Sequence, residues 1–181
     1  MSRASRAAVV CGLGVLSAAA AGADPFDGRS LRISAGVVRP EALGSAAWFG
    51  VGVRARFLGL WLEPELGYWS RRETAFALRS SVRDLHAGVS AHWTVLRLGA
   101  VRLLAAAGGS THVVTSSGGP LGGATASETR VRAGPHASLA FELRLRERTA
   151  AFAGARADWI VRRSLDDEQE SRFYGGIRLA F

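Results

Sequence analysis

The chain has 181 residues and 23 basic side chains, all of them arginine, against 15 acids, for a formal charge of +8. That length suits one domain. The arginines are dispersed among apolar residues and form no run or stripe, which argues against nucleic acid as the partner the charge suggests. Beyond the N-terminal segment no apolar run reaches the ~18 residues of a membrane-spanning helix.

Residues 1–23 read as a secretory signal peptide. Arg3 and Arg6 form a charged start, and Ala7 to Ala21 is an apolar stretch too short to span a bilayer. Ala21-Gly22-Ala23 is an A-x-A cleavage site, which predicts Asp24 as the first mature residue. The single cysteine, Cys11, falls inside this segment, and the apolar run continuing past it disfavours a lipoprotein reading. An exported chain without cysteine must find its stability elsewhere than in disulfides.

Residues 24–181 contain eight segments of period-two character, the period of a β-strand. They run over Leu31–Val38, Trp48–Phe57, Leu60–Trp69, Asp84–Trp93, Val101–Gly108, Val131–Leu143, Ala151–Ile160 and Phe173–Phe181. The 22 glycines also disfavour helix. One face of these strands carries no charge. The opposite face carries Arg32, Arg54, Arg56, Glu63, Glu65, Asp84, Arg102, Arg132, Glu142, Arg156, Asp158 and Arg178, with His86, His92, His136 and several serines.

Alternation does not say which face is inside. A soluble sandwich or lipocalin-like barrel puts the apolar face inward, and a transmembrane barrel reverses this. Three features favour the transmembrane arrangement. With strands alternating in direction, Phe49, Tyr68, Trp159 and Phe173 fall at one end of the apolar face and Phe57, Trp93, Phe141 and Phe181 at the other. Eight steps of ~3.3 Å, tilted by ~40°, cover roughly 20 Å, close to the height of a lipid-facing band, so these rings form two interfacial girdles. Long connections (Arg39–Ala47, Ser70–Arg83, Gly109–Arg130, Val161–Arg172) alternate with short ones (Leu58-Gly59, Thr94–Ala100, Arg144–Ala150). With Leu58-Gly59 as a tight turn, Arg54 lies opposite Glu63, with Arg56 and Glu65 as diagonal neighbours, and Arg156 can approach Glu142, so the polar face reads as a lumen filled by a charge network.

The signal segment, eight alternating strands, asymmetric loops and the final Phe181 together resemble the small outer-membrane β-barrel family, of OmpA/OmpX type. The resemblance implies an all-β, eight-stranded, antiparallel up-and-down transmembrane barrel in a bacterial outer membrane. It also implies that Phe173, Ile177, Leu179 and Phe181 form the signal read by the outer-membrane assembly machinery. Pro64 and Pro135 fall inside strands and predict a local bulge at one or both.

The expected role is structural or surface-interacting: a monomer in outer-membrane lipid and lipopolysaccharide, with no cofactor and no metal. His136-Ala137-Ser138 is the strongest enzyme candidate. It looks similar, at the level of a His-x-Ser pair, to lipid A deacylases of like architecture, with Glu142 the nearest acid in sequence. Two polar lumen residues in an alternating strand explain the same pattern. A narrow pore is the third possibility. His86 and His92, roughly 20 Å apart along one strand, cannot share a metal ion. Tyr174 and Trp69 near the outer mouth read as lumen filling ahead of a ligand site. Asp166, Asp167, Glu168 and Glu170 with Arg162, Arg163 and Arg172 read as a charged outer loop whose arginines touch lipopolysaccharide phosphates.

Overall fold

A computed structural model describes residues 28–40, 44–58, 60–160 and 168–181. The predicted signal segment with Cys11, the turn residue Gly59, and the loop residues Arg162, Arg163, Asp166 and Asp167 lie outside the described residues. Eight strands follow in chain order: β1 Ser30–Pro40, β2 Ala46–Phe57, β3 Leu60–Ala75, β4 Leu78–Leu98, β5 Val101–Pro120, β6 Ala126–Arg146, β7 Thr149–Ile160 and β8 Glu168–Ala180. Each pairs antiparallel with its neighbours in sequence, and β1 closes on β8 from Ser30↔Ala180 to Pro40↔Glu170. Closure leaves no sheet edge across the barrel wall, so the backbone groups there are satisfied internally, as a bilayer demands.

The wall is inside-out relative to a soluble barrel. Ile33, Val51, Leu66, Val89, Leu139 and Ile177 are exposed, while Arg32, Arg54, Glu63, Glu65, Glu142 and Arg178 on the alternate positions are buried. Apolar side chains left on the outer surface gain nothing in water and face lipid at no cost. The chain has the transmembrane β-barrel fold.

The two prolines do not bulge the sheet. β2 and β3 keep one register from Val51↔Leu66 to Phe57↔Leu60, and only the two rungs at Val53 and Arg54 drop out of the ladder beside Pro64. The missing proline N–H removes a bond and the neighbouring rungs hold the alignment. Pro135 stands just past the end of the β6–β7 ladder, which begins at His136↔Asp158, so its missing donor interrupts no bond to β7. The register shifts fall at Thr94/Leu96 and Arg144/Arg146, next to the tight turns after β4 and β6.

The strands also run further than their alternation predicts. β4, β5 and β6 have 21, 20 and 21 residues, against 11 to 13 in β1, β2, β7 and β8. The segments Ser70–Arg83 and Gly109–Arg130, expected as loops, are mostly ladder. β3 and β4 pair out to Ala75↔Leu78 around Phe76-Ala77, and β5 and β6 pair out to Gly118↔Ala126. The result is a four-stranded arm, β3–β6, rising from one side of the barrel.

Candidate functional site

Six buried arginines and six buried carboxylates fill the lumen among the described residues: Arg32, Arg54, Arg102, Arg156, Arg172 and Arg178 with Glu63, Glu65, Asp84, Glu142, Asp158 and Glu170. They form one connected network, and its hub is Glu63. The Arg54 Nε–H donates to Glu63 Oε2 at 3.0 Å, Arg178 Nη1 donates to the same oxygen at 2.9 Å, and Arg32 Nε stands 2.9 Å from Oε1 as an ion pair without hydrogen-bond alignment. Arg178 also reaches Glu142 at 2.8 Å, and Arg102 pairs with Glu142. Glu65 pairs with Arg32 and Arg156, and Arg156 donates to Asp158 at 2.6 Å. Buried charges persist only when paired and hydrogen-bonded in this way.

Four expectations change. Arg56 lies outside the network, exposed, with its guanidinium 5.8 Å from the Trp61 ring; it sits near the turn end of β2, where the wall opens to solvent. Glu65 accordingly takes Arg32 and Arg156 as partners. Arg156 does not approach Glu142, because the β6–β7 register places it opposite Ser138, four residues away along β6. Arg172, expected in the charged outer loop, is buried inside with Glu170 at 2.7 Å, because β8 begins five residues earlier than its alternation suggests. Arg132 is half-buried at the outer mouth.

The lumen also holds rings: Trp69 and Tyr174, read above as lumen filling, together with Trp48 and Phe152, which were not expected there. Trp48, Trp69, Phe152 and Tyr174 are buried in one cluster. The guanidinium of Arg32 lies 5.7 Å from the Tyr174 ring and 5.9 Å from Phe152, and that of Arg172 lies 5.6 Å from Trp48. Stacked arginines keep their charge partners in the ring plane's periphery while filling volume. Two interior cavities along the charge network measure about 10 Å³ each, too small for a through-channel. An open concavity of about 900 Å³ lies on the outer wall, where Ala87, Gly109 and Ala133 are small.

His136 does not pair with Ser138. Its Nε2 lies 2.7 Å from Ser90 Oγ, and its Nδ1 accepts from Arg156 Nη2 at 3.1 Å, with Asp158 Oδ1 4.0 Å away. Ser90, His136 and Asp158 thus mimic a Ser-His-Asp triad. The tautomer is wrong for catalysis. Arginine can only donate, so Nδ1 carries the lone pair and Nε2 carries the proton, which points at the serine; a general base needs the reverse. Glu142 is committed to Arg102 and Arg178, away from this group.

Toward the outer mouth, His112 was missed because β5 was expected to end at Gly108. It is fully buried, stacked on His86 with centroids 5.4 Å apart, and its Nδ1 is 2.8 Å from Asp84 Oδ2. His92 lies apart, 2.8 Å from Arg54 Nη2 in the lower cluster.

On the outside, Phe49, Tyr68, Trp159, Phe173, Phe57, Trp93, Phe141 and Phe181 are all between 42% and 69% exposed. Phe49 and Tyr68 are direct cross-strand partners. On the arm, Arg72 lies opposite Ser81, and Arg79 and Arg83 flank Ser81 on the same face. Arg83 stands two residues beyond Leu85, the partner of Tyr68, so this exposed arginine cluster sits just above the outer ring of aromatics. The arm's two carboxylates are held by their own neighbours: Arg71 pairs with Glu73 at 2.5 Å, and Arg130 donates to Glu128 at 2.7 and 2.8 Å, which holds the Glu128 carboxyl below its ordinary range.

No family model matches the chain, and no curated protein matches it. Solved structures do. Neisserial surface protein A aligns over 84% of this chain and 96% of its own at 13% identity and a TM-score of 0.62. Ail, the attachment invasion locus protein of Yersinia pestis, in complex with the heparin analogue sucrose octasulfate, aligns over the same shares at 13% identity and 0.56; Ail alone gives 12% and 0.52. At such identities the likeness shows the fold: the chain has the architecture of the small eight-stranded outer-membrane β-barrels.

Proposed function

We propose that this barrel resides in a bacterial outer membrane and acts by surface interaction, with the arm gripping anionic sugar, foremost the phosphates of lipopolysaccharide. The observation that carries this is the placement of Arg72, Arg79 and Arg83 on one exposed face immediately above the aromatic ring level. Guanidinium forks match phosphate geometry, and three on one face present them together. Because Glu73 and Glu128 are occupied by Arg71 and Arg130, the cluster keeps its positive field. That Ail, a structural neighbour, was solved with a polyanionic sugar analogue supports a polyanion as a ligand class for the fold. The filled, charge-balanced lumen supports a closed barrel rather than a pore, and the reversed tautomer at His136 speaks against hydrolysis.

The test has two parts. Fractionation of expressing cells with a heat-modifiability gel is expected to place the chain in the outer membrane as a folded barrel; a soluble chain with no shift between boiled and unboiled samples refutes the location. In planar bilayers or nanodiscs, an Arg72→Ser/Arg79→Ser/Arg83→Ser variant is expected to lose at least tenfold in affinity for lipopolysaccharide, with strong salt dependence in the parent. Equal binding by the triple variant refutes the arm as the binding element.

A further inference from the structure

We propose that the outer chamber of the lumen is a binding site for one divalent transition-metal ion of the zinc class, held by Asp84 on β4, His112 on β5 and Glu170 on β8. Each offers a ligand atom, and the three atoms lie within 4.8 Å of one another. All three side chains are almost fully buried. One imidazole with two carboxylates is a donor set that borderline divalent metals take readily.

Two further observations point to a ligand. Asp84 Oδ1 is buried and has no hydrogen-bond partner, although its other oxygen accepts from Trp69 Nε1 at 3.1 Å. A buried carboxylate oxygen left unpaired is costly, and a bound ion removes the cost. Beside it lies a cavity of about 30 Å³ lined by Asp84 and Glu170 but not by His112, with Trp69, Ile160 and Arg132, room for one water next to the ion.

The hydrogen count around His112 points the same way. Ser110 has one hydroxyl proton and donates it to Asp158 Oδ1 at 3.0 Å. Its contact with His112 Nε2 at 3.1 Å therefore takes the ring N–H. That leaves Nδ1 facing Asp84 Oδ2 at 2.8 Å, two acceptor atoms that need a shared positive centre. A ring proton fits on the line between them; a metal ion bonded to both, at about 2.0–2.2 Å each, sits to one side of that line, toward Glu170, and the titration tells the two apart. The supporting contacts are those of a built site. The ligating ring is oriented by a serine–carboxylate relay, Asp84 by Trp69, and Glu170 by Arg172 Nε at 2.7 Å.

Around the ion, Asp84 and Glu170 stand beside Arg172 and Arg132, whose guanidinium groups weaken the attraction for a dication. A bound ion ties β8 to β4 and β5 across the mouth.

The full chain, folded in detergent and stripped with chelator, is to be titrated calorimetrically with Zn²⁺ alone, and its four histidines followed by long-range nitrogen–proton NMR. One ion per chain is expected, with the ring-nitrogen resonance of His112 shifted and those of His86, His92 and His136 little changed. Asp84→Asn and Glu170→Gln are expected to weaken binding by at least about 10-fold, the loss that even a residue supporting a ligand causes, and His92→Gln to leave it unchanged. Substoichiometric uptake, a shift at another histidine, or equal affinity in the two carboxylate variants overturns the site. If a variant does not fold, the NMR shift in the parent chain still decides.

Discussion

Arg178 on β8 reaches across the lumen to Glu63 on β3, donating at 2.9 Å over a sequence separation of 115 residues, and both side chains are almost completely withheld from water. Glu63 receives Arg32 and Arg54 as well, so one carboxylate neutralises charge from β1, β2 and β8 at once. Removing it leaves Arg54 without a carboxylate partner among the described residues and takes one of two from Arg178 and Arg32, which keep Glu142 and Glu65.

Glu63→Gln is therefore expected to destabilise the folded barrel by about 3–5 kcal/mol, the usual cost of leaving a buried charge unpaired. Glu73→Gln on the arm breaks an exposed pair with Arg71 and is expected to cost no more than about 0.5 kcal/mol. Equilibrium urea unfolding in lipid bilayers measures both. Equal effects in the two variants would show that the lumen network is not a stabilising element.

The lumen's closure rests as much on rings as on charges. Trp48 and Tyr174 pack 5.9 Å apart between Arg172 and Arg32. The parent chain is expected to show no unitary conductance in planar bilayers. A Trp48→Ala/Tyr174→Ala variant vacates the volume of two rings beside the Arg32 and Arg172 guanidinium groups and is expected to show brief openings. Steady openings in the parent chain would make it a pore.

How much of this was legible beforehand follows from the physics of a two-sided sheet. Period-two alternation sorted the residues onto two faces, because a one-residue slip inverts every side chain, and the aromatic rings, loop lengths and charge pairing told which face turns outward; Ile33 and Arg32, Leu66 and Glu65, Ile177 and Arg178 fall as their parity demands. Strand ends were not legible. Alternation fades where the sheet leaves the membrane and both faces become polar, so β5 and β6 beyond Gly109 read as a Gly/Ser-rich loop and His112 was lost with it. The same fading hid Glu170 and Arg172. Pairing partners across the lumen were beyond sequence: Glu65 meets Arg156 from a strand 91 residues away, a contact that barrel diameter and shear decide.

The Ser90–His136 pair gives a decision on catalysis. With the imidazole proton directed at Ser90 by Arg156 on the opposite nitrogen, neither Ser90 nor Ser138 is activated. Ser90→Ala and Ser138→Ala are each expected to leave the lipid A mass spectrum of the expressing host the same as with the parent chain. A parent-dependent loss of an acyl chain that either substitution abolishes would restore the hydrolase.

The arm's tip stores strain. Phe76 and Ala77 turn the β3–β4 hairpin with φ of 48° and 60°, a left-handed pair usually left to asparagine and glycine, and Phe76 is 99% exposed. Non-glycine residues in this region cost roughly 1 kcal/mol or more each. Phe76→Asn/Ala77→Gly is therefore expected to raise the urea unfolding midpoint in lipid bilayers. An unchanged midpoint would show that the turn carries no strain.

Phe181 follows β8 and adds one backbone bond, its N–H donating to Arg29 O at 3.0 Å, while its ring is 69% exposed. Phe181→Ala keeps that bond and removes only a ring facing outward, so unfolding stability is expected to fall by less than about 1 kcal/mol. If Phe173, Ile177, Leu179 and Phe181 act together as the strand pattern read during outer-membrane assembly, the same substitution lowers the inserted fraction in cells several-fold. Phe141→Ala is the matched comparison, since Phe141 is an equally exposed ring on β6 outside that pattern. Pulse-chase with heat-modifiability gels measures insertion for both. Normal insertion of Phe181→Ala, or an equal defect in Phe141→Ala, would show that Phe181 serves the membrane interface alone.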